Sequence, residues 1–190
     1  IDEQEVRGDL QAEIAVIGGR PADMAFDISG SRLRLENVSV RGGETGFEDD
    51  GWFAELALTR GDTVFIEPMQ LDVDAELSAS DSRPLVTLFR NQDGWRPDFL
   101  TRALTVADIT GSARLEMADR RLLIPFAWLN GEHIEAGAKV ELSGAGNRGI
   151  LYLKYQKLDA VLRIADGKRN LDILRARRTF DAYRVGGDRN

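Results

Sequence analysis

Strictly alternating apolar and polar residues recur along this chain and constrain its fold more than any other feature. One run extends from Met69 to Ser78 and another from Ile134 to Ser143. Successive side chains of a β-strand point to opposite faces, so a period of two predicts strands with one apolar and one solvated face. We therefore expect a mainly β protein, an antiparallel meander that forms a curved sheet, an open barrel or a sandwich.

The alternation is interrupted by residues with the spacing of short helices. Pro84 suits the first turn of a helix, Leu88 follows at helical spacing, and Pro97 opens a second short helix. We expect one continuous domain in three segments. They are an N-terminal β meander (1–81), a short helical insert (82–105) and a C-terminal β meander that ends in a short basic helix (106–190).

Turn and bulge signals divide the predicted meander further. The pairs Gly61-Asp62 and Asn130-Gly131 predict tight hairpin turns. Pro125 lies within an apolar run, which predicts an edge strand or a bulge, because proline cannot donate to a sheet ladder. The apolar phase changes at Glu36-Asn37, which predicts a bulge. Asn170 is the predicted cap of the C-terminal helix.

Composition excludes several classes of protein. Among 190 residues there is no cysteine, so disulfides and thiolate metal sites are excluded. No run of 18 apolar residues is present, so no segment of the sequence is expected to cross a bilayer as a helix. The net charge of −7 disfavours nucleic-acid binding.

The charge is unevenly distributed along the chain. Between Lys154 and Arg184 there are nine basic and four acidic residues, which gives this segment a net charge of about +5. A solvated surface with local ion pairs is the simpler interpretation. The alternative is a terminal element that contacts a membrane or an acidic partner.

Motifs for catalysis or cofactor binding are weak. Residues 144–149 match GxGxxG, but the apolar run that follows is typical of a strand, so we interpret the motif as a hairpin loop. His133 is the only histidine and is expected to be exposed, on the same strand face as Glu135. The acidic run Glu48-Asp49-Asp50 lacks the spacing of a calcium loop and is expected to be solvated.

These observations argue against an enzyme, and no catalytic, metal-binding or cofactor-binding residue is assigned. A carbohydrate-active enzyme with paired carboxylates stays open, since 32 acidic residues offer many pairs. The apolar strand faces have two interpretations. They form either the closed core of a structural or adhesive module, or an open groove for an acyl-chain lipid such as a phospholipid. The predicted groove residues are Leu71, Val73, Leu77, Ile134, Val140 and Leu142.

Four segments carry a resemblance to a known family. They are 81–89 (DSRPLVTLF), 95–100 (WRPDFL), 106–115 (VADITGSARL) and 174–180 (LRARRTF), in that order. This series resembles C-terminal portions of AsmA-like envelope proteins of Gram-negative bacteria, the group that includes TamB-like and YdbH-like proteins. The resemblance implies a long curved sheet with an apolar groove, a role in lipid transfer or outer-membrane biogenesis, and a periplasmic location. It also implies an inner-membrane anchor in a segment outside this chain, and it supplies no catalytic residues.

Overall fold

The fold is a single large β-sheet with two short helices. The computed structural model describes residues 4–42, 46–90, 105–144, 146–165 and 167–186. The first seven strands are β1 (Glu5–Glu13), β2 (Gly18–Arg20), β3 (Ala25–Asp27), β4 (Arg32–Arg41), β5 (Phe47–Glu48), β6 (Phe53–Val64) and β7 (Gln70–Asp81). Then follow α1 (Arg83–Arg90), β8 (Ala107–Ala118), β9 (Arg121–Gly131), β10 (Ile134–Ser143), β11 (Gly146–Tyr155), β12 (Leu158–Ala165), β13 (Lys168–Asp172) and α2 (Ala176–Ala182).

The strands pair antiparallel in the order β1-β4-β6-β7-β8-β9-β10-β11-β12-β13. The short strands lie off this path: β2 pairs with β3, β3 with β6, and β5 with β4. The sheet does not close into a barrel, since among the described residues β1 pairs with β4 alone and β13 with β12 alone. The prediction of a mainly β, antiparallel meander with a short helical insert and a short C-terminal helix is confirmed.

The insert leaves the sheet continuous. Strands β7 and β8 flank it in the sequence and pair with each other along their length, up to Asp81 opposite Ala107. Asp81 starts α1, because its Oδ1 accepts a hydrogen bond of 2.7 Å from the backbone N–H of Arg83. The second predicted helix, at Pro97, lies outside the described residues.

Helix α1 packs at one end of the sheet. Val38, Val40, Phe47 and Trp52 form a buried cluster there, and Leu88 of α1 packs against it. The indole N–H of Trp52 donates a 3.0 Å hydrogen bond to the carbonyl of Asp81. This bond satisfies the polar atom of a buried aromatic ring and ties β6 to the start of the helix.

Helix α2 packs on the other half of the sheet. Its Phe180 is buried with Ile150, Tyr152 and Val161 of β11 and β12. The prediction that Asn170 caps this helix is wrong. Asn170 lies in β13 opposite Arg163, and α2 begins at Ala176. The strand continues through the predicted cap because its backbone is paired with β12.

The turn predicted at Gly61-Asp62 is wrong, whereas the hairpin signalled by Asn130-Gly131 is confirmed between β9 and β10, with its turn two residues further on. Gly61 lies within β6, and Asn130-Gly131 ends β9, so that the turn itself is Glu132-His133. At Gly61 the absent side chain admits a neighbouring segment, because a Cβ there would lie 2.7 Å from Cγ1 of Ile28. Glycine within a strand often marks either a bulge or a close approach of another segment, and Gly61 is an example of the close approach.

Two predicted irregularities in the ladder are confirmed as bulges. Asn37 has a positive φ of 53°, and the register of β1 with β4 shifts between Arg7 and Asp9. Pro125 lies in β9, an interior strand whose register shifts against both β8 and β10 near this position. The bulge therefore accommodates the proline, and an edge position for β9 is excluded. No helix in the described part of the chain is long and apolar enough to cross a membrane.

Candidate functional site

All six predicted groove residues lie on one face of the sheet. Leu71, Val73 and Leu77 alternate along β7, and Ile134, Val140 and Leu142 alternate along β10. Residues that are directly opposite in neighbouring strands share a face. Leu71 pairs with Met117, Met117 with Leu122, and Leu122 with Leu142, so β7 and β10 present these side chains on the same side. We call this side the apolar face and the opposite side the polar face.

The apolar face extends across the whole sheet. Directly paired residues follow one another strand by strand from the β1 edge toward the β13 edge, and all are apolar or glycine. The series is Ala12, Leu33, Leu56, Leu77, Gly111, Leu129, Ala136, Leu153 and Ala160. Nine consecutive strands of the main path therefore contribute to one uninterrupted apolar surface.

Exposure on this face increases from the middle of the sheet to its edges. Val73 and Ala75 are buried, Leu142 is 39% exposed and Leu151 38% exposed. At the two edges Leu10 and Leu171 are each 65% exposed. An apolar surface of this extent on a folded protein is typical of a binding surface, because leaving it in water is unfavourable at about 25 cal/mol per Å².

The polar face is lined by ion pairs between neighbouring strands. Arg60 contacts Asp72 at 2.5 Å and Asp74 at 2.7 Å, and Arg114 contacts Asp72 at 3.1 Å. The hydrogen bond from Arg60 lowers the pKa of Asp74 below its usual range. Another such group is Arg34, which pairs with Glu36 and Glu55. These ion pairs place charged groups on the polar face, so the two faces of the sheet differ in polarity.

Helix α2 covers part of the polar face. The ring of Phe180 lies 5.8 Å from that of Trp128 and 5.6 Å from that of Tyr152. Arg177 lies over Trp128 at 4.5 Å from the ring centre, and its side chain also pairs with Asp181 of the same helix. Burial raises the pKa of Tyr152. Aromatic packing and a cation over an aromatic face thus hold the helix on the side opposite the apolar face.

The basic C-terminal segment is partly engaged within this chain. Lys154 pairs with Glu135 of the neighbouring strand, and Arg177 with Asp181. Arg184 donates a 3.1 Å hydrogen bond to the carbonyl of Tyr183. These contacts are the local ion pairs and caps that the simpler interpretation of this segment predicts.

His133 has no catalytic surroundings. Its side chain is 59% exposed and its Nε2 lies 3.4 Å from Oε1 of Glu132. The predicted exposure is confirmed. The shared strand face with Glu135 is wrong, because His133 lies in the turn before β10 while Glu135 lies within the strand. The GxGxxG segment opens no helix: Gly146 begins β11 and Gly149 pairs with Val140.

The acidic run before β6 is occupied by contacts within the chain. Oδ2 of Asp49 lies 2.7 Å from Arg83, and its Oδ1 accepts a hydrogen bond from the N–H of Gly51. These two interactions lower the pKa of Asp49, the Gly51 bond being the stronger. Glu48 pairs with Arg41 at 3.3 Å. Within the described residues, no three histidine or carboxylate side chains are grouped as metal ligands.

A cavity of about 830 Å³ lies where β6 and β8 end and β7 begins. Asp62, Asp72 and Glu116 are among its lining residues, so it is the place where a pair of catalytic carboxylates would be sought. Arg60 lies 3.2 Å from Asp62, and Arg114 lies 2.9 Å from Glu116. With Asp72 paired to Arg60 as well, each of these three carboxylates forms an ion pair with a guanidinium.

The structure adds apolar-face residues that the sequence patterns do not assign. Leu151 and Leu153 lie in the run Ile150–Leu153, which is apolar on both faces and therefore gives no period of two. Ile150 and Tyr152 are buried under α2, whereas Leu151 pairs with Ala138 on the apolar face. Because α2 covers one side of β11, both sides of this strand are apolar and its sequence shows no alternation. Comparison of the chain with protein-family models, curated proteins and solved structures found no match.

Proposed function

We propose that this chain is a non-catalytic component of a Gram-negative cell envelope that binds the acyl chains of phospholipid on its apolar face. In this proposal it acts in the periplasm, in lipid transfer or outer-membrane biogenesis. The observation that supports it most is the uninterrupted apolar series from Ala12 on β1 to Ala160 on β12. The resemblance to AsmA-like envelope proteins supports the same function independently.

An occupant on the apolar face would remove its side chains from water, which is favourable. Burial of one methylene group contributes about 0.8 kcal/mol, so an acyl chain laid across several strands gains several kcal/mol from the contact. An open sheet allows such a chain to enter sideways, because β1 and β13 do not pair with each other. A closed structural module would bury these side chains against one another, and an unclosed sheet disfavours that alternative.

The positions of the charged side chains are compatible with a lipid whose acyl chains lie across the strands. The ion-pair ladders of Arg60 and Arg114 lie on the opposite face, so the acyl chains would not displace them. Binding through a continuous surface has no single essential residue, which is consistent with the lack of a catalytic constellation in the sequence.

Native mass spectrometry of the gently purified protein tests the binding step. We expect co-purifying phospholipid, reduced at least fivefold by Leu142→Asp or Leu151→Asp, which place a charge on the apolar face. Both leucines are just over one third exposed, so the fold should tolerate the change. Phe126→Asp is the matched control, because Phe126 is 43% exposed and pairs with Arg114 on the polar face.

A second measurement separates transfer from storage. Purified protein should accelerate the exchange of a fluorescent phospholipid between vesicles, and Leu151→Asp should abolish the acceleration while Phe126→Asp retains it. Circular dichroism of each variant checks that the sheet is intact. Lipid-free protein that takes up no phospholipid would overturn the proposal, as would equal loss of lipid in the control variant.

A further inference from the structure

The two edge strands of the sheet are complementary to each other in direction. The main path contains ten strands, and neighbours alternate in direction, so β1 and β13 run antiparallel. A second copy that continues the sheet and its twist would therefore bring its β1 antiparallel to β13 of the first. Both apolar faces would then lie on the same side, and an antiparallel pair needs no further rearrangement of either edge.

The outer side chains of the apolar face also indicate a missing neighbour. Leu171 on β13 is 65% exposed, and Leu10 and Val6 on β1 are 65% and 53% exposed. Exposed leucines of the interior strands, such as Leu129 at 39%, are better covered, because a strand lies on each side of them. One additional strand at each edge would give the outer leucines the same cover.

Charge distinguishes pairing of unlike edges from pairing of like edges. Strand β1 carries three carboxylates, those of Glu5, Asp9 and Glu13, and one arginine. Strand β13 carries Lys168 and Arg169 with a single aspartate. Two β1 edges would place carboxylates opposite carboxylates on the polar face, which is unfavourable. Strand β13 presents Lys168 and Asn170 on that face with one carboxylate, Asp172, so β1 against β13 avoids this row of like charges.

Exposed sheet edges in soluble proteins are commonly blocked by proline, by a bulge or by an inward-pointing charge. Strand β1 contains no proline, and its own residues alternate from Glu5 to Glu13 with Val6, Leu10 and Ala12 on the apolar side. The extra residue of the bulge between β1 and β4 belongs to β4. Strand β13 contains no proline either, and its one charged residue on the apolar side is Arg169, which pairs with Ile164. Among the described residues, β4 is the one strand paired with β1 and β12 the one paired with β13.

We propose that β13 of one copy of this chain pairs with β1 of a second copy, so that copies join head to tail into one extended sheet with a continuous apolar face. Such an interface joins two different surfaces and leaves one free edge of each kind, so association continues beyond the dimer. The inference does not depend on which molecule occupies the apolar face.

The test uses two variants with a charge introduced at one edge each. Leu10→Lys blocks the β1 edge and Leu171→Lys blocks the β13 edge, at positions of equal exposure. By sedimentation velocity, the unmodified chain should form dimers and longer species as its concentration rises. Each variant alone should associate at least tenfold more weakly. A mixture of the two should form a 1:1 dimer and nothing larger, because one intact edge of each kind remains.

The control is Phe126→Lys on the interior strand β9, which changes a 43% exposed side chain away from both edges and should leave association unchanged. Each alternative has its own outcome, and each overturns the proposal. A chain that stays monomeric has no such interface. Dimers of Leu171→Lys alone indicate β1 against β1, and those of Leu10→Lys alone indicate β13 against β13. Association that survives in both variants and is lost in Leu151→Asp indicates contact between two apolar faces.

Discussion

The Nζ of Lys139 donates a 2.8 Å hydrogen bond to the backbone carbonyl of Phe180 and lies 4.6 Å from the centre of the Phe180 ring. A second hydrogen bond, of 3.0 Å, reaches the carbonyl of Tyr183. The ammonium thus satisfies carbonyls at the C-terminal end of α2, where a positive charge is favourable. Burial lowers the pKa of Lys139. One lysine from the sheet therefore fixes both the position and the end of the helix.

Helix α2 should depend on the ring of Phe180 for its place on the sheet. Phe180→Ala removes a side chain that is 2% exposed and packed against Tyr152 and Trp128, so we expect a loss of about 3 kcal/mol in the free energy of unfolding. Urea denaturation followed by tryptophan fluorescence measures it. Leu174→Ala, at an 89% exposed position just before the helix, should change the stability by less than about 0.5 kcal/mol. Equal effects of the two substitutions would contradict this packing.

Acid should destabilise the sheet through Glu141. The hydrogen bond from Arg148, followed by the guanidinium of Arg121, lowers the pKa of Glu141 from its ordinary value of 4.5. Between the lowered pKa and the ordinary value, the folded state therefore binds fewer protons than the unfolded state. The stabilisation is complete above the ordinary pKa and is lost as the pH falls from that value through the lowered pKa of the folded state.

The variant Glu141→Gln tests this contribution. At pH 7 it should unfold about 1 kcal/mol more easily, because charge-assisted bonds become neutral ones. Between about pH 5 and pH 3 its free energy of unfolding should fall less steeply than that of the unmodified chain, which chemical denaturation at several pH values records. Parallel profiles for the two proteins would show that Glu141 contributes nothing to the acid sensitivity.

Gly61 should be irreplaceable by alanine for steric reasons. A Cβ at this position would lie 2.7 Å from Cγ1 of Ile28, so Gly61→Ala should cost about 1 to 3 kcal/mol in thermal or urea unfolding. Gly18→Ala is the control, since no heavy atom of a neighbour lies within 4 Å of a Cβ built there. If the clash is the cause, Ile28→Ala in the same chain should recover part of the loss, and strictly additive effects would exclude it.

The apolar face could be predicted from the sequence because its strands have one apolar and one polar side. The alternation in β7 and β10 placed Leu77 and Val140 correctly, without knowledge of any pairing. The turns could not be predicted in the same way, because glycine has two uses in a sheet. Gly61 and Gly131 admit side chains from other segments, and those approaches are set by the tertiary fold. Strand β11 was ambiguous because a helix distant in the sequence covers Tyr152.

The order of strands has a consequence for how this sheet is assembled. From β6 to β13 each strand pairs with the next strand along the chain, whereas the pairings of β1 with β4, β4 with β6 and β3 with β6 bypass intervening strands. Closing a short loop costs little conformational entropy, so contacts between sequence neighbours form early and quickly. The sheet can therefore form one hairpin at a time while the polypeptide is still being synthesised. Each new strand can pair with the strand that precedes it, before the last residues of the chain have been synthesised.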